Sequence, residues 1–306
     1  MDTWLVTGSR GFLGANAGLF LQGRAHTIGL SRDGRPGPGY EQTVAAPLEN
    51  QDFAADVIRS LRPNVVLHTA ALSSHEACEA DLALAERVNA DATRELAQAA
   101  KDVGAQFVHI STDAVFDGAT GNYREQDEPN PFSVYGVTKR RGEELALEAN
   151  PDSLILRTNF FGWSPSGRRS ILEFFVNALT NDQPVSGYTD VIVTSAYVGS
   201  LLDAIWQLTQ LKTTGIVHAT SADALSKYDF GKEVATQMNL DASLISPTSA
   251  TDGGHANRAS RDLSLNNTLL ANLLGMTPPT QAAGIVRARE EASTVRAALQ
   301  ENRDQP

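Results

Sequence analysis

Short apolar runs alternate along this chain with longer stretches of helical periodicity, and glycine, proline or polar clusters separate them. Trp4-Leu5-Val6-Thr7 has the character of a strand, and residues 15–22 continue with helical spacing. Thr27-Ile28-Gly29-Leu30 closes a second strand, residues 52–62 read as a helix, and residues 65–71 as a buried strand ending in small side chains. An Ala-rich pattern over 82–103 predicts one long helix stopped by Gly104, followed by a strand at 106–110. Near-continuous apolar strands alternating with helices predict parallel strands covered on both faces. The expected class is therefore α/β, with a Rossmann-type doubly wound parallel sheet.

The first strand and helix are joined by Gly8-Ser9-Arg10-Gly11-Phe12-Leu13-Gly14. Glycines between a strand and a helix let the backbone approach a pyrophosphate, whose charge the helix N-terminus favours. Ser31 takes the second strand end, where an acidic residue would meet the ribose hydroxyl of NAD. Arg32 follows it and Arg10 lies inside the glycine loop. Both arginines suit the 2′-phosphate of NADP, while Asp33 fits the Asp-Gly turn that opens a flexible Gly/Pro stretch. NADPH/NADP is the expected cofactor, NAD the less favoured one.

The strand at 106–110 delivers Ser111-Thr112-Asp113 at its carboxyl end, where doubly wound sheets place ligand-contacting side chains. A hydroxyl there can steady a carbonyl oxygen. Downstream, Tyr135-Gly136-Val137-Thr138-Lys139 sets a phenol and an ammonium one helical turn apart. Alone this spacing occurs on many solvated helices. A nearby cation stabilises a phenolate, and lowering the phenol's pKa by roughly three units requires about 4 kcal/mol. His68 and His75 lack further ligands at metal spacing, so His68 reads as a strand residue and no metal is expected. Cys78 lies in an acidic helical stretch and reads as inert.

In order, these pieces resemble the extended short-chain dehydrogenase/reductase family over roughly residues 3 to 275, on Gly8/Gly11/Gly14, Thr112 and Tyr135/Lys139. Within it, Ser111-Thr112-Asp113-Ala114-Val115-Phe116, Asn130 to Lys139 and Leu156-Arg157-Thr158-Asn159 are most similar to the branch of dTDP-4-dehydrorhamnose reductase, a nucleotide-sugar 4-ketoreductase. The resemblance implies an oxidoreductase with Thr112 as catalytic hydroxyl, Tyr135 as proton donor, and Lys139 as the residue that binds the nicotinamide ribose and lowers the Tyr135 pKa. It also implies that Thr69, Ala70, Ala71 and Asn89 line the cofactor, with Leu48 near adenine. Asp113, Ala114, Asn159 and Phe160 would meet the sugar, and Arg168 with its neighbour Arg169, Arg258 and Arg261 are candidates for the substrate diphosphate. Ala114 cannot act as the second acid of related sugar dehydratases, which argues against dehydration. Two alternatives stand beside the reductase: a nucleotide-sugar epimerase holding NAD permanently, and a non-catalytic NADP-binding regulatory subunit like that of methionine adenosyltransferase.

Residues 1–158, with returning segments from about 190–222, are expected to form the NADP-binding domain. Residues 159–189 and 223–295 would form a smaller substrate-binding region, and 296–306 a tail. Helices are expected at 171–179, from Lys227, and at 269–274 with Gly275 as the stop. A net charge of −11 argues against nucleic acid and polybasic membrane binding, so any anionic substrate must be met by locally placed arginines. One cysteine, no signal-peptide pattern and no apolar run of membrane length point to the cytoplasm. A homodimer through the 82–103 helix and the Tyr135 helix is the expected assembly.

Overall fold

The structure, a computed structural model, describes residues 1–250 and 262–301. Its strands are β1 (Thr3–Thr7), β2 (His26–Ser31), β3 (Gln42–Ala45), β4 (Val65–His68), β5 (Gln106–Ile110), β6 (Leu154–Arg157) and β7 (Asn159–Phe161). After these come β8 (Val185–Tyr188), β9 (Ile192–Val193), β10 (Ser195–Tyr197), β11 (Gly215–His218), β12 (Leu225–Ser226) and β13 (Ile245–Thr248). The helices are α1 (Phe12–Leu21), α2 (Phe53–Leu61), α3 (His75–Ala80), α4 (Leu82–Glu86), α5 (Ala92–Val103) and α6 (Val134–Ala149). Then follow α7 (Ile171–Thr180), α8 (Val198–Gln210), α9 (Lys227–Met238), α10 (Thr268–Leu274) and α11 (Gln281–Glu301).

The main sheet runs β3-β2-β1-β4-β5-β6-β11, with every neighbouring pair parallel, which bears out the doubly wound expectation. Side chains alternate along each strand, so Trp4, Val6, Leu67 and Val108 enter one core while Leu5, Val66 and Phe107 enter the other. Each such buried side chain contributes about 1.5–3 kcal/mol, enough in sum to fix the strand register. The order reverses between β1 and β4, and their C-terminal ends open the crevice where such sheets bind ligands. Thr7 stands opposite His68, and His68 opposite His109, so a polar row crosses the sheet just below that crevice. His68 is thus a buried strand residue, as expected. The short pairs β7–β10, β9–β12 and β8–β13 lie outside this sheet.

The single helix expected over 82–103 is interrupted. Helix α4 passes into a π-helical turn at Arg87–Asp91 before α5 resumes. The cause is the Asn89 amide, buried to 1% exposure. Its Oδ1 accepts from Leu72 N at 2.8 Å, and its Nδ2 donates to Leu72 O at 3.1 Å and to Thr138 Oγ1 at 3.0 Å. A straight helix would have to abandon these bonds, and an inserted residue lets the ladder slip around the amide instead. Helix α6 packs directly on this turn. The strand expected over 65–71 ends at His68, because the backbone turns to build the crevice wall. The tail expected from 296 starts later, since α11 reaches Glu301 and buries Leu299. That helix had no expectation of its own; its inner stripe of Ile285, Ala288 and Leu299 is spaced for a helix but partly disguised as alanine.

Gly142 on α6 lies against the π turn so closely that a Cβ there would be 2.3 Å from the Asn89 carbonyl oxygen. Backbone cannot yield cheaply to such a contact. Gly142→Ala is expected to cost about 1–3 kcal/mol, read as a lower urea midpoint with an unchanged slope; a midpoint at the parent value would show that α6 is not seated on the turn as described.

Candidate active site

A cavity of about 560 Å³ opens over the C-terminal ends of β1, β4 and β5. Gly8, Gly11, Phe12 and Leu13 form one wall. Gly14 faces away from the cavity and serves packing: a Cβ at this position would be 2.2 Å from the Gly8 carbonyl oxygen, so only glycine lets α1 approach the loop. Ser31, Arg32 and Leu48 line one end, Thr69, Ala70 and Ala71 the floor, and Thr112, Tyr135, Lys139, Asn159 and Phe160 the other end. Asn89 stays behind the wall and holds it through Leu72 and Thr138.

At the Ser31 end the charges are arranged in pairs. Arg10 Nη1 lies 3.1 Å from Asp33 Oδ2, Arg35 Nε lies 2.9 Å from the same oxygen, and Arg32 Nε lies 3.2 Å from Glu49. Arg10 is therefore engaged by Asp33 and does not itself line the cavity, whereas Arg32 does. Three guanidinium groups face two carboxylates.

At the opposite end, β5 leads into Thr112, which caps a 3-10 turn at Asp113–Val115 by accepting from Ala114 N at 3.1 Å. Asp113 is buried, receives Thr112 Oγ1 at 3.1 Å and Asn159 Nδ2 at 2.8 Å, and burial pushes its carboxyl up to about 6. Neither Asp113 nor Ala114 lies on the cavity wall; Asp113 acts on it through Thr112 and Asn159. Helix α6 starts at the Ser133 cap, whose hydroxyl accepts from Gly136 N at 3.1 Å, and this fixes the phase that brings Tyr135 and Lys139 to the cavity.

The Lys139 ammonium is only 1% exposed and turns toward β5, donating to Ile110 O at 2.8 Å and meeting His109 Nε2 at 3.0 Å. Burial pulls its pKa down to about 7, opposed by Glu143 one turn along. The phenol of Tyr135 moves the other way. The resemblance implied a lowered Tyr135 pKa, but burial raises it above the ordinary 10, and the nearby Thr112 hydroxyl offsets this only in part. Burial penalises the charged phenolate, and the Lys139 ammonium is directed at the strand instead of at the phenol. Beneath the pair, Glu143 accepts from Ser111 Oγ and binds Arg157 Nη2 at 2.7 Å, both members of the ion pair being 3% exposed.

Two nearby groups, His75 and Lys227, carry no functional expectation from the sequence. His75 packs its ring 5.1 Å from that of Tyr135, a contact across 60 positions that leaves no local trace. Lys227, expected to be structural, sits at the start of α9 close enough for its charge to stabilise the Asp113 carboxylate. Of the candidate pair Arg168 and Arg169, it is Arg169 that lines the cavity. Its loop is held by Glu173, which accepts from Arg169 N at 2.9 Å and from Ser164 Oγ at 2.7 Å within a capping box. Arg258 and Arg261 lie outside the described residues. Among the described residues no group of three or more His, Cys, Asp or Glu side chains could hold a metal ion, and no helix is long and apolar enough to cross a membrane.

The sequence model of the RmlD substrate binding domain matches residues 2–293. The chain belongs to this family. A probable low-salt glycan biosynthesis reductase of Haloferax volcanii is 29% identical over 284 residues, covering 90% of this chain and 93% of that protein. A dTDP-4-dehydrorhamnose reductase of Streptomyces griseus is 30% identical over 257 residues, covering 81% and 80%. Among solved structures, dTDP-4-dehydrorhamnose reductase from Bacillus anthracis in complex with NADP superposes with a TM-score of 0.85 at 24% identity, covering 95% of this chain and 99% of that one. The family's fold is thus present over nearly the whole chain.

The lowered Lys139 pKa carries a stability consequence. Between about 7 and 10.5 the unfolded chain holds this proton and the folded chain does not, so the group makes folding more favourable as pH rises through that window. Lys139→Met removes this dependence. The stability difference between parent and variant, from urea denaturation at stepped pH, is expected to move in the parent's favour from pH 7 to 10; a flat difference would mean that the ammonium is solvated.

Proposed function

We propose that the protein is an NADPH-dependent reductase of a keto group, at C4, on a deoxysugar carried by a nucleotide diphosphate. The observation that carries this reading is one cavity walled by the glycine loop, with Arg32 at one end and Thr112, Tyr135 and Lys139 at the other. The glycine wall fits a dinucleotide, since Gly8, Gly11 and the start of α1 offer backbone rather than side chains to a pyrophosphate. Family membership and a relative named dTDP-4-dehydrorhamnose reductase support the substrate class. The excess of guanidinium over carboxylate near Ser31 favours a 2′-phosphate, and Asp33, already bound by two arginines, is a poor acceptor for a free ribose hydroxyl.

When bound, the reduced nicotinamide supplies hydride. The chain's part is to orient the carbonyl and deliver a proton to its oxygen. Tyr135 is kept protonated by burial, which suits an acid in the direction of reduction. Thr112 holds the oxygen, and Lys139 in its charged form stabilises the phenolate left behind. Arg169 is the cation that the cavity wall offers to a phosphate. We assign residues 1–158 with 190–222 to cofactor binding, and 159–189 with 223–295 to the sugar nucleotide. The lone Cys78 fits a cytoplasmic protein.

Tyr135→Phe is expected to lower kcat on dTDP- and UDP-linked 4-keto-6-deoxy sugars by about 10²–10⁴-fold, with NADPH binding retained and NADPH preferred to NADH by the parent. Unchanged turnover in the variant would refute the assignment.

We further propose a homodimer through α4 and α6, where Leu82, Phe132 and Val137 stand 59%, 47% and 49% exposed around one apolar depression. Leu82→Glu with Val137→Glu is expected to halve the mass seen by sedimentation; a parent that already sediments as a monomer would exclude this interface.

A further inference from the structure

We propose that His109 is a positioning residue of the proton-transfer site, its Nε2 acting with the Ile110 carbonyl as the fixed acceptor that aims Lys139; this rests on the role given above to Tyr135 and Lys139. The contact is short and dry: Nε2 to Nζ is 3.0 Å, Ile110 O to Nζ is 2.8 Å, and both side chains are buried at 0% and 1% exposure. An ammonium can only donate, so Nε2 must carry the lone pair and the ring proton must sit on Nδ1. Among the described residues, His109 Nδ1 is a buried nitrogen without a hydrogen-bond partner. A phenylalanine or leucine would fill this strand position without an orphaned donor, so packing gives no account of the imidazole. The bond to Lys139 does.

The ring is held from behind as well. His68 stacks on it at 5.1 Å and is bracketed by Thr7 Oγ1 at 2.7 Å and Thr93 Oγ1 at 3.1 Å. The Thr93 hydroxyl donates to Asn89 O at 2.8 Å, so it accepts from His68 Nε2–H, and His68 Nδ1 accepts from Thr7. Burial holds both imidazoles neutral, His68 at about 3 and His109 well below 6.5. Lys139 thus faces two neutral rings from β4 and β5, Glu143 and Tyr135 from its own helix, and, through Glu143, Arg157 of β6. In the charged form, two of its three N–H bonds are committed to β5. One remains for the cavity, at a fixed angle.

The test compares His109→Phe, which removes the acceptor, with His109→Gln, which restores one. The protonation of Lys139 Nζ is followed by 15N NMR of lysine-labelled protein, without substrate, and kcat and KM are measured over pH with NADPH and a keto-sugar nucleotide. In the Phe variant the Lys139 titration is expected to move to lower pH. kcat should fall about tenfold or more while KM stays within about twofold, and the alkaline loss of kcat/KM should shift down with the titration. Gln is expected to return both toward the parent. A Lys139 titration unchanged in the Phe variant would overturn the proposal, as would equal loss of kcat in both variants with Lys139 titrating as in the parent. If the parent turned over no keto sugar, the NMR comparison would still decide the contact, and only the assignment of function would fall.

Discussion

Taking the Lys139 ammonium out of water is the constraint around which this site is built. A buried cation needs fixed acceptors and a counter-charge, or it gives up its proton. The chain supplies acceptors from the end of β5, through Ile110 O and His109, and the counter-charge from Glu143 one helical turn away. Glu143 is in turn buried, so Arg157 from β6 must neutralise it and Ser111 must satisfy its second oxygen. Three neighbouring elements of the central fold are thereby tied to one amine. The parallel register of β4, β5 and β6, set by their apolar side chains, places these polar groups at the same height.

The position of α6 depends on a second dry polar contact. Asn89 trades ideal helical geometry for bonds to Leu72 and Thr138, and Gly142 allows α6 to come within contact of the resulting π turn. A helix seated this way presents Tyr135 and Lys139 at one end of the crevice, while the glycine loop, fixed by Gly14 against Gly8, forms the wall beside it. The slipped turn of one helix thus serves the alignment of another.

Much of this was legible in the sequence, for reasons that vary with the residue. The strand–glycine–helix opening and the apolar strands define the sheet because those patterns depend on neighbours in the chain. The pairing of Thr112 with Tyr135 and Lys139 was readable once strand ends and helix phase were known. Asn89 was legible as an anomaly, though not the π turn it imposes, since its partners Leu72 and Thr138 are distant in sequence. The direction of the Tyr135 shift is not legible, because neither the resemblance nor spacing along a helix conveys burial. Composition offers Arg168 and Arg169 alike, and only Arg169 faces the cavity, because one residue of phase in a loop is set by Glu173. His68 and His109, each near the end of an apolar strand, left a signal: a polar residue in a buried run needs a partner.

The most direct measurement of the account follows isotope from cofactor to sugar. NADPH deuterated at the transferring position of the nicotinamide is incubated with the protein and a nucleotide-linked 4-keto-6-deoxy sugar, and the product is read by mass spectrometry and NMR. Deuterium on the former carbonyl carbon, with stoichiometric NADP formed, is the expected result. NADPH bound tightly with no label transferred to any such sugar would contradict the reductase assignment.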